Sequence, residues 1–171
     1  KWSEKRTDAK ASIEKWDQEP VALKRLDEAG VAKLVKNDTE NLLLVNVWAT
    51  WCGPCLAELP ELVAINRMYR QRNFQLTTIS LDDVEEGKKK NVLKALKERH
   101  VSSTNFLSVI ESRDRFAELL DHQWQGPLPH TLLIAPGGEL IYRKNGPLDP
   151  LELRGAIVEY LGRTYGPRSE K

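Results

Sequence analysis

The chain has two cysteines, and they stand three apart as Cys52-Gly53-Pro54-Cys55. Thiol–disulfide exchange needs a nucleophilic thiolate, a second thiol to resolve the mixed disulfide, and access for a partner. A helix N-terminus carries unsatisfied N–H groups and a partial positive charge, so a thiolate at Cys52 is favoured if a helix starts there. Cys55 lies one turn further in, about 5–6 Å away at Cβ, and a disulfide can form with modest adjustment. On this reading Cys52 is the exposed, attacking sulfur and Cys55 the buried, resolving one. Pro54 falls in the first turn, where a missing N–H costs little. Two thiols are also half of a metal site, and with a histidine they could hold copper(I) or zinc. The three histidines, His100, His122 and His130, are scattered and do not obviously complete a tetrahedral zinc set.

Other side chains near the pair could take part. Glu58 is three residues beyond Cys55 and can face the same side of a helix. Taken alone, it reads as a first-turn carboxylate favoured by the helix dipole. Trp51 reads as an exposed docking aromatic, Trp48 as core and Trp124 as packing. His100 and His122 read as helix-end residues near carbonyls. His130, next to the break Gly126-Pro127-Leu128-Pro129, reads as a polar rim residue.

The elements that must position these groups follow from pattern. Leu42–Ala49 is apolar on both faces, as in a strand covered by helices on both sides. A helix over Gly53–Arg72 follows, with Pro60 expected to kink it. Phe74–Leu81 reads as a second strand and Val84–His100 as an amphipathic helix with Val92, Leu93 and Leu96 inward. Lys88-Lys89-Lys90 is its solvated face. Asn105–Ile110 is a short extended stretch and Arg113–His122 a helix. Thr131–Ala135 and Glu139–Lys144 form a hairpin around Pro136-Gly137-Gly138. Asp149 caps a last helix to Leu161, with Pro150 at its first position and Gly162 after its end. Upstream, Val21 and Leu23 suggest a short edge strand and Asp27–Leu34 a short helix. One or two helical turns are expected around Ala9–Trp16. The expected division is a partly ordered extension over residues 1–20, a domain over 21–164 and a tail over 165–171.

Composition narrows the classes further. The 171 residues are 40% hydrophobic and 30% charged, with 26 Lys and Arg against 25 Asp and Glu. That is an ordinary balance for one globular domain with a real core. A net charge of +1 argues against an electrostatic nucleic-acid binder. No apolar run approaches the ~20 residues needed to span a bilayer. Two cysteines are too few for a disulfide scaffold. The chain starts Lys1-Trp2-Ser3 without Met, so either a targeting segment has been removed or the sequence begins inside a longer protein.

The combination Trp48-Ala49-Thr50-Trp51-Cys52-Gly53-Pro54-Cys55, then Pro60, then Leu128-Pro129 before the strand Thr131–Ile134, resembles the thioredoxin superfamily. Asn46 in place of a buried Asp, Glu58 after the second cysteine, and extra helical chain over Val84–His122 resemble the TlpA/ResA-like branch in particular. His130 departs from that pattern, which usually has Thr after the proline.

The resemblance implies an α/β fold: a thioredoxin-like three-layer sandwich, a mixed central sheet flanked by helices, with an N-terminal extension and an inserted helical segment. It implies a thiol–disulfide oxidoreductase, a reductant of protein disulfides with a place in cytochrome c maturation, and no cofactor beyond the Cys52–Cys55 pair. It makes Cys52, Cys55 and Glu58 the catalytic set, with Glu58 handling the proton of Cys55. Trp51, Gly53, Pro54, Leu128, Pro129 and His130 become the substrate-binding set. It also implies a cis Leu128–Pro129 bond whose Leu128 backbone pairs with an extended substrate. The expected partners are protein thiol or disulfide substrates and an upstream electron donor, with no nucleic acid. The expected state is an extracytoplasmic bacterial monomer that has lost a membrane anchor from its N-terminus. A copper- or zinc-binding module and a thiol peroxidase are the alternatives. Copper-delivery relatives resemble CxxxC rather than CxxC, and the Pro and Thr pattern of peroxiredoxins is absent near Cys52. Both cysteines are present, which argues against a non-catalytic thioredoxin-like binding module.

Overall fold

A computed structural model describes residues 2–162, and side chains from residue 6 onward. In chain order the elements are α1 (Trp2–Asp17), β1 (Lys24–Leu26), α2 (Glu28–Lys36), β2 (Leu42–Trp48), α3 (Gly53–Tyr69), β3 (Phe74–Ser80), α4 (Glu86–Glu98), β4 (Thr104–Ser108), α5 (Arg113–Leu120), β5 (His130–Ile134), β6 (Leu140–Asn145) and α6 (Pro150–Leu161). The strands form one sheet in the order β1-β4-β3-β2-β5-β6. β1, β4, β3 and β2 run parallel, while β5 and β6 are antiparallel. The expected mixed sheet between helical layers is the observed fold.

β2 is central, and all seven of its residues are buried. Its alternate side chains feed two cores. Leu42, Leu44 and Trp48 pack with Leu59, Leu62 and Ile65 of α3, Val92 and Leu96 of α4, and Leu153 and Ile157 of α6. Leu43, Val45 and Val47 pack on the other face with Val31 of α2 and Phe116 and Leu120 of α5.

Most element boundaries lie within a few residues of the expected ones, and the differences have causes. β1 begins at Lys24 rather than Val21, because its ladder is set by pairing of Lys24–Leu26 with Phe106–Ser108. Val21 and Leu23 pack instead against the core on the α3 side. β5 starts one residue early, at His130, since the antiparallel ladder already pairs His130 with Val47. Helix α3 continues through Pro60. In α4 the inward set is Val92, Ala95 and Leu96, with Leu93 only half-buried. Lys88, Lys89 and Lys90 are exposed. Gly138 closes the β5–β6 turn at φ +95°, and a Cβ there would stand 2.9 Å from the Val35 carbonyl oxygen, so only glycine fits.

The N-terminal segment is a single helix, longer than the one or two turns expected around Ala9–Trp16. Trp2–Asp17 contains no Pro or Gly and is rich in Ala, Lys, Glu and Arg, all good helix formers. Its C-terminal end is fastened to α3. Asp17 accepts from Arg67 at 2.7 Å, and Arg67 and Arg70 lie 5.4 and 6.0 Å from the Trp16 ring centroid. Glu19 takes both terminal nitrogens of Arg70, at 2.6 and 2.7 Å. The expected tail from residue 165 lies outside the described residues.

Candidate active site

Strand β2 delivers its last residue, Trp48, to a short loop, and α3 starts at Gly53. Cys52 is the residue before that helix, with φ −99° and ψ 102°, and the Cys55 N–H donates to its Sγ at 3.3 Å. The sulfur therefore receives a first-turn N–H, which favours a thiolate at this position once the pair is reduced. Cys52 and Cys55 are joined as a disulfide with their Cα atoms 5.3 Å apart. Both are largely enclosed, but only Cys52 keeps solvent exposure, 7% against 0% for Cys55. Gly53 and Pro54 are exposed beside them. Trp51 is 64% exposed, with the Arg113 guanidinium 5.5 Å from its ring centroid. Trp48 is fully buried.

The loop is held from below by a residue outside the expected site, Asp82. Asp82 follows β3, the parallel neighbour of β2, and is buried. One carboxylate oxygen accepts from the Thr50 N–H at 2.9 Å and from the Ser80 hydroxyl at 2.6 Å, and the other accepts from the Thr50 hydroxyl. The clue in the sequence was its place at the carboxyl end of a central strand, where open α/β sheets build their sites.

Glu58 is buried, 7% exposed, three residues beyond Cys55 on α3. Asn46 of β2 donates from Nδ2 to its Oε1 at 3.0 Å, and the Leu148 N–H donates to its Oε2 at 3.0 Å. Burial pushes the carboxyl above its ordinary value, and the two donated hydrogen bonds only partly offset that. A carboxyl that holds a proton more readily than usual can accept one from a neighbouring thiol and return it. Asn46 also donates to the Thr131 hydroxyl of β5 at 3.1 Å, while its own Oδ1 has no hydrogen-bond partner. Asn46 is thus a buried bracket between β5 and the carboxyl on α3.

The Leu128–Pro129 peptide bond is cis. The pairing of Val47 with His130 places Pro129 one step further along, opposite Trp48. The break after α5 therefore comes to the same end of the sheet as Cys52. Leu128 is half-buried and packs against the core cluster that contains both cysteines. Its backbone N–H and carbonyl make no hydrogen bond among the described residues. Trp124 is buried, as expected of a packing residue.

His130 differs from its expected place on the rim. It is 0% exposed, and its neighbour Thr131 faces Asn46, so His130 points to the opposite sheet face from α3. Its Nε2 meets Asp121 at 2.9 Å and its ring stacks on Trp124 with centroids 5.2 Å apart. Its side chain is therefore turned away from the surface that a substrate would meet. His100 Nδ1 lies 3.2 Å from the Asp17 carbonyl, in keeping with a helix-end residue, and His122 is exposed.

The chain is 28% identical to the thiol-disulfide oxidoreductase ResA of Oceanobacillus iheyensis over 144 residues, which are 84% of this chain and 64% of that protein. With ResA of Geobacillus kaustophilus it shares 29% identity over 98 residues, 57% of this chain and 51% of that one. The chain thus spans between about half and just under two thirds of the length of these relatives. In structure it is similar to a thiol-disulfide oxidoreductase of Bacteroides fragilis (TM-score 0.59, 25% identity, 75% of this chain and 88% of that one). It is also similar to StoA of Bacillus subtilis (TM-score 0.55, 22% identity, 70% and 84%). The fold is thioredoxin-like. Residues 22–157, most of the chain, match the Redoxin family, and the protein belongs to that family as a TlpA/ResA-like member of the thioredoxin superfamily.

Proposed function

We propose that the protein is a thiol–disulfide oxidoreductase that reduces protein disulfides through Cys52 and Cys55. The observation that carries this is the placement of the two sulfurs. Cys52 precedes α3 and its sulfur accepts a helix N–H, while Cys55 lies behind it, fully enclosed, one turn from the buried Glu58.

In the reduced protein the Cys52 thiolate attacks one sulfur of a substrate disulfide. A Cys52–substrate S–S bond forms, the substrate S–S bond breaks, and one substrate thiolate leaves. Glu58 accepts the proton of the Cys55 thiol. The Cys55 thiolate then attacks the Cys52 sulfur, restoring the Cys52–Cys55 disulfide and releasing the second substrate thiolate. The substrate gains two electrons and the pair loses two. A dithiol donor reverses these steps to reset the protein. Trp51, Gly53 and Pro54 form the exposed surface around the attacking sulfur. The free backbone of Leu128 offers one N–H and one carbonyl to an extended substrate segment, as in strand addition.

Action as a monomer on the extracytoplasmic side of a bacterium, and a place in cytochrome c maturation, are the finer parts of this reading. They are supported by the likeness to the ResA proteins. No helix among the described residues is long and apolar enough to cross a membrane. Two variants test the chemistry. Cys52→Ser abolishes reduction of insulin disulfides, and Cys55→Ser accumulates a mixed disulfide with the substrate that a denaturing, non-reducing gel reveals. Full activity of the Cys52 variant removes the reading.

A further inference from the structure

On the face of the sheet away from Cys52 lies a polar cluster that the exchange steps do not use. Asp121, the residue that ends α5, is its hub and is buried. Its Oδ2 meets His130 Nε2 at 2.9 Å and accepts from Arg143 Nε at 2.6 Å. Its Oδ1 accepts from Arg143 Nη2 at 2.7 Å and from the Gln123 N–H at 3.2 Å. A carboxyl with four such contacts from three residues is ionised. His130 then donates from Nε2 to that carboxylate, and burial disfavours a charge on its ring. An aliphatic side chain at position 130 would fill the same space without burying a polar ring, which has a desolvation cost.

The residues tied by the cluster point to what offsets that cost. The Asp121–His130 contact closes the whole connection from α5 to β5 into a ring. Within it, Trp124 stacks on His130 and donates its indole N–H to the Pro127 carbonyl at 2.9 Å. The Gln125 N–H donates to Asn145 Oδ1 at 3.1 Å, and the Gly146 N–H donates to the Pro129 carbonyl at 2.9 Å. Backbone groups of Gln125, Pro127 and Pro129 are therefore pinned, while the backbone of Leu128 is left free. Arg143 joins the ring to β6, the edge strand.

We propose that Asp121, His130 and Arg143 are positioning residues for substrate docking. They hold the Leu128 backbone at a fixed place beside Cys52, ready to pair with an extended protein substrate. This rests on the reading of Leu128 as the docking segment. Preorganisation of this kind lowers the ordering cost of binding, so its loss is felt in substrate affinity.

The test compares insulin with a small disulfide, oxidised glutathione, which needs no strand pairing. In His130→Leu and Asp121→Asn the KM for insulin rises about tenfold, the worth of one or two net backbone hydrogen bonds. Neither kcat for insulin nor the rate with oxidised glutathione changes, and His130→Gln, which keeps a donor toward Asp121, restores the KM. Leu128→Pro, which deletes the free N–H, raises the same KM. If Leu128→Pro raises it and the His130 and Asp121 variants do not, positioning by the cluster is wrong and docking stands. If none of the three raises it, docking at Leu128 fails and the proposal with it. Equal losses with insulin and oxidised glutathione also overturn it, since a general structural defect would act on both. Where Asp121→Asn does not fold, the His130→Leu and His130→Gln pair decides.

Discussion

Glu58 shows how burial and hydrogen bonding compete at one side chain. Its two donors, Asn46 Nδ2 and the Leu148 N–H, favour the carboxylate, yet burial outweighs them and the carboxyl sits above its ordinary value of 4.5. The sign for stability follows. A raised folded value means that the folded state binds the proton more tightly. Glu58 thus contributes stability below about 4.5 that is lost as pH rises through its folded value. Glu58→Gln has no such dependence. The stability of wild type relative to Glu58→Gln should fall as pH rises above about 4.5, measured by urea unfolding across pH. Turnover should behave differently. Losing a positioned proton acceptor costs roughly a hundredfold, so insulin reduction by Glu58→Gln is slowed by about that factor and loses its dependence on the Glu58 ionisation. Exchange rates identical to wild type at every pH would rule out a proton role for Glu58.

At the level of elements, the clearest parts of the sequence were those whose signals are local. The apolar run of β2, the CxxC pair and the Asp149-Pro150 start of α6 each specify geometry within a few residues, and the structure has them there. His130 was misplaced because the strand was expected to begin at Thr131. Starting it one residue earlier puts His130 in the alternation and turns its side chain into the core. Asp121 and Arg143 had no local signal at all, since they meet only when β6 folds back along β5. Helix α1 teaches the same lesson. Its composition favoured a helix, but its attachment depends on Arg67 and Arg70, some fifty residues away. Trp16→Ala removes the ring over which both guanidiniums lie and should cost about 1–2 kcal/mol. In thermal unfolding that is a fall of roughly 3–6 °C in Tm, with insulin reduction unchanged. An unaltered Tm would show that the attachment contributes nothing to stability.

Across the whole molecule, one sheet brings three distant stretches to one end. Strand β2 and α3 supply the cysteines, β3 supplies Asp82 under the loop, and the connection into β5 supplies Leu128 and Pro129. Polar groups on both sheet faces serve this end, with Asn46 and Glu58 on one and Asp121, His130 and Arg143 on the other. On the proposed function, this assembly makes Cys52 and Cys55 a reducing pair. Equilibrating the protein with glutathione buffers and quantifying the Cys52–Cys55 disulfide gives its potential. A reductant of protein disulfides should lie at or below about −200 mV, on the side of the reducing thioredoxin-type proteins. A value near −120 mV, that of a strong disulfide-forming oxidant, would contradict the account.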